Sequence, residues 1–207
     1  MTKFISLTLA AGLALGAAAP ALAENSVGVG VSTFGGNLEF QSRVTPSWGV
    51  RGLLMGGIDV DYEEVDGDTD LVGNVTIGGA AVLADYYPTM SGWRVSGGLF
   101  LSNSALELVG TADVDGVGTE SITAEAEFAN SVAPMVTTGY VWDMASGFSL
   151  SMDAGLIYTG GIDVTYTAED PGVQDEVDAD ADLQATREDA SDITLYPYVG
   201  VVASFRF

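Results

Sequence analysis

The sequence predicts an all-β chain: an eight-stranded antiparallel up-and-down transmembrane β-barrel, residues 24–207, following a cleaved signal peptide, residues 1–23. Three observations predict it. Long segments alternate apolar and polar side chains at the period of two that sends successive residues to opposite faces of a strand. Beyond the N-terminal region no apolar run is long enough for a membrane helix, so any crossing must be made by strands. The final strand, from Ile193, keeps its alternation to the last residue, with Val199, Val201, Ala203, Phe205 and Phe207 on one face and Gly200, Val202, Ser204 and Arg206 on the other.

Taken in order, the chain opens with Lys3, an apolar run from Phe4 to Gly16, and Pro20 before the small-residue pattern Ala21-Leu22-Ala23. That is the layout of a secretory signal peptide, and its apolar run is too short to anchor in a bilayer. The next two strands, Ser26 to Thr33 and Leu38 to Val44, form a short hairpin around Gly35-Gly36-Asn37. The third, Trp48 to Tyr62, sends Trp48, Val50, Leu54, Ile58, Val60 and Tyr62 outward and Arg51, Asp59 and Asp61 inward.

Strands at Leu71 to Tyr87, Gly92 to Leu108 and Ser121 to Trp142 are readable, but their frequent Gly and Ala leave the facing ambiguous. Asp85 is the misfit: counting puts it on the lipid face with Ile77 and Leu83, so either it lies at headgroup level or a bulge turns it inward. In the seventh strand, Gly147 to Tyr166, the residues Phe148, Leu150, Met152, Ala154, Leu156, Tyr158, Ile162, Val164 and Tyr166 face outward. Ser149, Ser151, Asp153, Thr159, Asp163 and Thr165 face inward, the apolar-out and polar-in signature of a membrane barrel.

An even strand count puts both termini on the periplasmic side. Short turns then fall at Thr45 to Ser47, Pro88 to Ser91 and Asp143 to Ser146, and external loops at Glu63 to Asp70, Val109 to Glu120 and Thr167 to Asp192. Trp48, Trp93 and Trp142 all lie beside a short turn, as an aromatic girdle at one headgroup level requires. Tyr62, Phe128, Tyr158 and Tyr166 are the candidates for the opposite belt.

Charge sharpens the picture. Without the signal peptide the chain holds five arginines, no lysine and no histidine against 29 acidic residues, a net charge of −24 that disfavours nucleic acid and anionic lipid surfaces. No cysteine is present, so neither disulfides nor thiolate metal sites contribute. Arg43, Arg51, Arg94 and Arg206 are expected to point inward near the periplasmic rim, because an arginine facing mid-bilayer lipid costs about 2–4 kcal/mol. Glu39 and Asp153 are their expected partners, with Asp85 joining if its strand is bulged. Together these six residues form either an ion-pair cluster plugging the periplasmic mouth or separate side chains reaching for water.

Above that level Leu53, Met55, Val82, Phe100, Met135, Ile157 and Val202 are expected inside. Eight strands leave room only for side chains, so the lumen is either a packed core or a narrow greasy passage. The densest acid runs, Asp59 to Asp70 and Ala168 to Asp182, read as solvated loops, with a helical turn at Leu183 to Glu188. Asp66, Asp68 and Asp70 begin like a calcium loop, but Ile77 stands where its last glutamate belongs. No metal site and no cofactor is expected beyond weak sharing of divalent cations with a phosphorylated surface.

The terminal residues Val199, Val201, Ala203, Phe205 and Phe207 resemble the terminal assembly signal of bacterial outer-membrane β-barrels. As a whole the mature chain resembles the small eight-stranded barrels grouped with the outer-membrane proteins A, X and W. It is also similar to uncharacterised alphaproteobacterial barrels sharing Trp48-Gly49-Val50-Arg51, Asp85-Tyr86-Tyr87-Pro88 and Tyr196-Pro197. The resemblance implies a Gram-negative outer-membrane location, contact with lipopolysaccharide and the barrel-insertion machinery, a monomer, and, at the W type, small hydrophobic ligands. No peptidoglycan-binding domain of the protein A type is expected. Barrel deacylases, palmitoyl transferases and omptin-type proteases rely on a histidine that this chain lacks, so no enzyme activity is expected. Three function classes stand: a structural or surface-interaction barrel, a narrow channel for small hydrophobic solutes, and a soluble periplasmic β-barrel binder.

Overall fold

The computed structural model describes residues 24–66, 69–114 and 118–207, so the predicted signal peptide lies outside the described residues. The strands are β1 Glu24–Ser32, β2 Gly35–Thr45, β3 Trp48–Asp66, β4 Thr69–Tyr86, β5 Trp93–Ser102, β6 Ala105–Val114, β7 Gly118–Phe128, β8 Val132–Asp143, β9 Phe148–Tyr158, β10 Ile162–Ala168 and β11 Leu195–Arg206. Two helices, α1 Gln174–Ala179 and α2 Ala181–Ser191, stand between β10 and β11.

Eight strands close a barrel in the order β1-β2-β3-β4-β5-β8-β9-β11, and β11 returns antiparallel to β1 with Val29 opposite Ala203. Closure leaves this part of the sheet without an edge. The other three segments continue barrel strands. β6 extends β5 along β4, β7 extends β8 along β6, and β10 extends β9 along β7. Three of the eight predicted strands are therefore interrupted, at Asn103-Ser104, at Ala129 to Ser131 and at Thr159 to Gly161.

These interruptions coincide with a bulge in β3, where pairing to β4 shifts between Met55 and Ile58. Gly57 takes φ +88° in that bulge, and Gly160 and Gly161 take +77° and +124° in the β9–β10 break, conformations that L side chains resist. An extra residue inverts the facing of everything beyond it. Above this level Ile58 and Val60 lie on the side of Ile77, and Ile162, Val164 and Tyr166 turn to the inner face, opposite to expectation. Asp59, Asp61, Asp163 and Thr165 turn outward and are exposed, again opposite to expectation.

The upper strands form a five-stranded sheet, β3-β4-β6-β7-β10, rising from the barrel. Its outer face carries Asp59, Asp61, Glu107, Glu125, Glu127 and Asp163. On its inner face Ile122, Ala168 and Val177 form a second small core with Tyr166, Val173 and Leu183, which docks the two helices. The segments expected as acidic loops at Glu63 to Asp70 and Val109 to Glu120 are largely strand backbone, and the expected turn at Leu183 to Glu188 belongs to the longer α2. Thr33-Phe34, rather than Gly35 to Asn37, connects β1 to β2. Of the candidate outer belt, Tyr158 is exposed, whereas Phe128 and Tyr166 are half-buried on the inner side.

Candidate functional site: the filled lumen

Glu39 on β2, Arg51 on β3, Asp85 on β4, Arg94 on β5 and Asp153 on β9 meet inside the barrel, each at most 3% exposed. The strand period puts each on the inner face, and the barrel brings the far strands β3 and β9 within side-chain reach. Arg51 is the hub. Its Nη1 donates to Asp153 Oδ2 at 3.0 Å and Glu39 Oε2 at 3.3 Å, while its Nη2 donates to Asp85 Oδ1 at 3.2 Å and Ser96 Oγ at 3.1 Å.

Arg94 grips Asp153 with two bonds, Nε to Oδ1 at 3.1 Å and Nη2 to Oδ2 at 2.6 Å, and donates Nη1 to Gln41 Oε1 at 3.3 Å. Gln41 in turn donates to the Tyr87 hydroxyl. Fork-to-carboxylate geometry of this kind is directional as well as strong. Gly139 makes it possible, since a Cβ there would collide with Asp153 Oδ1. Asp85 Oδ2, Arg51 Nε, Asn37 Oδ1 and Thr137 Oγ1 are buried without a hydrogen-bond partner among the described residues.

Above the ionic layer the lumen is apolar. Phe34, Leu53, Met55, Ala81, Leu83, Phe100, Ala133, Met135, Ile157 and Tyr198 pack into one core, with Ile77, Phe128 and Tyr196 against it. Phe34 reaches down from the β1–β2 turn, its ring 4.7 Å from Phe100 and 5.0 Å from Tyr196. Leu53, Met55, Phe100, Met135, Ile157 and Val202 lie inside as expected, but Val82 is 52% exposed and points outward. Leu83 and Asp85 take the inner face of β4 with no bulge below Gly79. On that strand the misfit was the counting, because Ala80, Val82 and Ala84 serve an outward face as well as their neighbours do.

Below the ionic layer lies a polar mouth. Arg206 pairs with Asp143 and, at 3.8 Å, with Glu24. Arg43 donates to the Pro46 carbonyl at 2.8 Å and sits 4.0 Å over the Tyr87 ring. Neither joins the buried cluster: Arg51 and Arg94 alone form the ion-pair network, and Arg43 and Arg206 sit separately at the rim, so each of the two readings holds for two of the four arginines. Their opening, of about 30 Å³, has room for one or two waters.

Trp48, Trp93 and Trp142 are all outward and exposed beside the β2–β3, β4–β5 and β8–β9 turns. Trp48 packs tilted against Tyr86 with ring centroids 4.8 Å apart, and Trp142 likewise against Tyr140 at 5.0 Å. Val199, Val201, Ala203, Phe205 and Phe207 are exposed along β11, and Phe207 donates its backbone N–H to the Asn25 carbonyl at 2.9 Å. Asp85 joins the arginines although its strand carries no bulge there, and Ser96 and Gln41 were not singled out as their partners. Parity relative to Arg51 and Arg94, read across paired strands, is the signal that finds them.

No family model matches the chain, and no curated protein matches it. Among solved structures it is similar to CarO2 of Acinetobacter baumannii, with a TM-score of 0.59 and 17% identity over 89% of this chain and 98% of that one. Acinetobacter baumannii CarO gives a TM-score of 0.58 and 15% identity over 88% and 97% of the two chains. These likenesses concern the fold. A major outer membrane protein of Thermus thermophilus aligns over 90% of this chain and 100% of that one at 14% identity, with a TM-score of 0.42 too low to bear on it.

Proposed function

We propose that the chain is an integral outer-membrane β-barrel with a structural or surface-interaction role, its lumen closed by side chains and its acidic sheet raised above the bilayer. One observation carries this reading: every barrel strand exposes an aliphatic side chain on its outer face. Val29, Leu38, Val50, Val82, Leu99, Val136, Leu156 and Val199 are each 40–65% exposed, while two arginines and three carboxylates are sealed inside. A water-soluble protein has the opposite polarity. β5, β8, β9 and β11 are 10, 12, 11 and 12 residues long, close to the roughly 9–11 that cross a bilayer.

The exposed tryptophans mark the periplasmic headgroups, and the breaks, beyond which aspartate and glutamate face outward, mark the external ones. The outer-membrane barrels of the A, X and W types, lipopolysaccharide contact and recognition of the β11 terminus by insertion machinery belong to the same reading. The filled lumen favours a closed barrel over a channel for hydrophobic solutes, and the greasy exterior opposes a soluble binder. Two measurements test it. The protein stays with the outer membrane after a carbonate wash, and reconstituted in planar bilayers it gives no steady single-channel steps. Release by the wash would refute the membrane assignment, and regular steps from the unmodified protein would refute the closed lumen.

A further inference from the structure

The five-stranded sheet above the barrel has two edges, β10 and the upper part of β3, and the fold treats them differently. Low in the barrel β3 is paired on both sides, but its pairing with β2 ends at Gly36 opposite Gly56. From Ile58 opposite Ile77 to Asp66 opposite Thr69 it pairs with β4 alone, through nine consecutive residue pairs with no register shift. Every second residue of such a strand turns its N–H and C=O away from its one neighbour. Among the described residues nothing takes those bonds along Ile58–Asp66. Asp59, Val60 and Asp61 are all exposed, so neither face of the strand is covered there.

The opposite edge is closed by the chain itself. Gln174, the first residue of α1, accepts from Ala168 N–H at 2.9 Å and donates to the Tyr166 carbonyl at 3.1 Å, so its amide stands where a neighbouring strand would. Val177 and Leu183 then hold the two helices over β10. Bare edges invite pairing, and a protein that does not use one covers it or charges it. On β3 only charge guards the edge. Asn74 Nδ2 donates to Asp59 Oδ1 at 2.8 Å and to Asp61 Oδ1 at 3.0 Å, which fixes both carboxylates on the outer face beside it.

We propose that Ile58–Asp66 binds an extended basic segment of another protein, with lysine or arginine alternating with apolar residues, as a sixth strand beside β3. Backbone bonds supply the affinity of such an addition, and alternate side chains supply its specificity. Both halves of the alternation have a counterpart. Asp59 and Asp61 meet basic side chains on the outer face, while Val60, 51% exposed on the inner face, meets an apolar one. Electrostatics chooses the partner. A second copy would bring these aspartates against their own like, which disfavours the pairing. A basic strand gains from them and from the wider face, where Glu107 stands opposite Glu125, Glu127 opposite Asp163, and none of the chain's arginines lies on the sheet. The proposal gives the surface-interaction reading a class of partner and rests on that reading for the edge being outside the bilayer.

The test titrates the full mature chain, in uncharged detergent micelles, with a fluorescent nine-residue peptide alternating lysine and valine, and reads anisotropy against protein-free micelles. Three further peptides accompany it: one alternating glutamate and valine, one with the lysines and valines scrambled, and the first with every backbone amide N-methylated, which keeps the charges but cannot donate to a ladder. Expected are saturable binding of the first peptide alone and slowed amide exchange within Ile58–Asp66 when it binds. Asp59→Asn combined with Asp61→Asn weakens binding roughly tenfold, the loss of two exposed charge pairs. Equal binding of the scrambled or N-methylated peptide reduces the effect to charge attraction and overturns the proposal. So do the lack of a saturable response, protection that maps to another segment, affinity unchanged in the double variant, or self-association of the free chain through Ile58–Asp66. Binding in micelles does not depend on the membrane assignment, which the carbonate wash tests separately.

Discussion

Replacing Arg51 with alanine removes the hub of the buried cluster and tests whether these charges act as one unit. Arg51 holds three carboxylates and Ser96 at 3.0–3.3 Å, all of them buried. Without it Glu39, Asp85 and Asp153 face Arg94 alone, and Asp85 is left with a guanidinium nitrogen 3.9 Å away. Removing one member of a buried pair typically costs about 3–5 kcal/mol, because the orphaned charge stays desolvated. Urea unfolding in lipid vesicles, followed by tryptophan emission, measures the loss. The same reasoning predicts that Asp85→Ala in the Arg51→Ala background recovers about half of it, since Arg94 then balances only Glu39 and Asp153. Arg51→Met controls for the lost stem. A cost below about 1 kcal/mol for Arg51→Ala, or losses that simply add in the double variant, would refute the argument.

Four further outcomes follow from the same geometry. Gly139→Ala pushes a methyl group into Asp153 and loosens its grip on Arg94, lowering stability in the same urea assay by about 1–3 kcal/mol, while Gly97→Ala, whose Cβ meets nothing within 4 Å, is close to neutral. Depth-dependent quenching by brominated lipids finds Trp48, Trp93 and Trp142 at one headgroup level, and a tryptophan quenched from the bilayer centre contradicts the girdle. In helices α1 and α2 the Arg187 hydrogen bond, with a smaller one from Gln174, holds the Asp178 carboxyl below its usual range. Its support is present above the unfolded carboxylate pKa and is lost as pH falls through the lowered one, so hydrogen exchange in α1 and α2 quickens there, and Asp178→Asn removes that pH dependence. Replacing Glu39, Arg51, Asp85, Arg94 and Asp153 together by leucine or methionine leaves thermal stability equal or higher but broadens the NMR lines of the barrel strands, whereas sharp native-like spectra would deny the cluster a role in register.

How much of this was legible follows from which rule governs each segment. β9 and β11 alternate cleanly because one side meets aliphatic surroundings and the other a polar lumen, so Met152, Asp153, Val201 and Val202 could be placed by counting alone. β4 could not, since Ala80, Ala81, Val82, Leu83 and Ala84 are all apolar and parity hangs on the single carboxylate of Asp85. Read as an anchor instead of an exception, Asp85 orients the strand correctly. The facing reversals at Gly57 and at Gly160-Gly161 were hidden for a different reason. Period two survives a bulge unchanged, and only its phase shifts, so Asp59-Val60-Asp61 and Asp163-Val164-Thr165 look like lumen strands until the inserted residue is known. Arg43 and Arg206 have the face that counting gives them, but their height puts them at the mouth beside Tyr87, Glu24 and Asp143 instead of the buried carboxylates.

The two layers of the lumen answer different physical needs. An eight-stranded barrel is filled by side chains whatever their type, and the apolar layer from Phe34 to Ile157 shows that this chain can fill it with hydrocarbon. Hydrocarbon alone leaves register weakly fixed, because sliding one strand by two residues keeps an aliphatic face outward and exchanges one apolar filler for another. The charged residues come from five of the eight strands, and each has to meet a partner on a different strand at one height. A two-residue slip of β3 moves Arg51 away from Glu39, Asp85 and Asp153 at once and leaves a desolvated charge. A one-residue slip aims it at lipid, at about 2–4 kcal/mol. Charges that contribute little net stability thus make the alternative registers expensive, and they do so at the level where β3, β5 and β9, which are not hydrogen-bonded to one another, must agree.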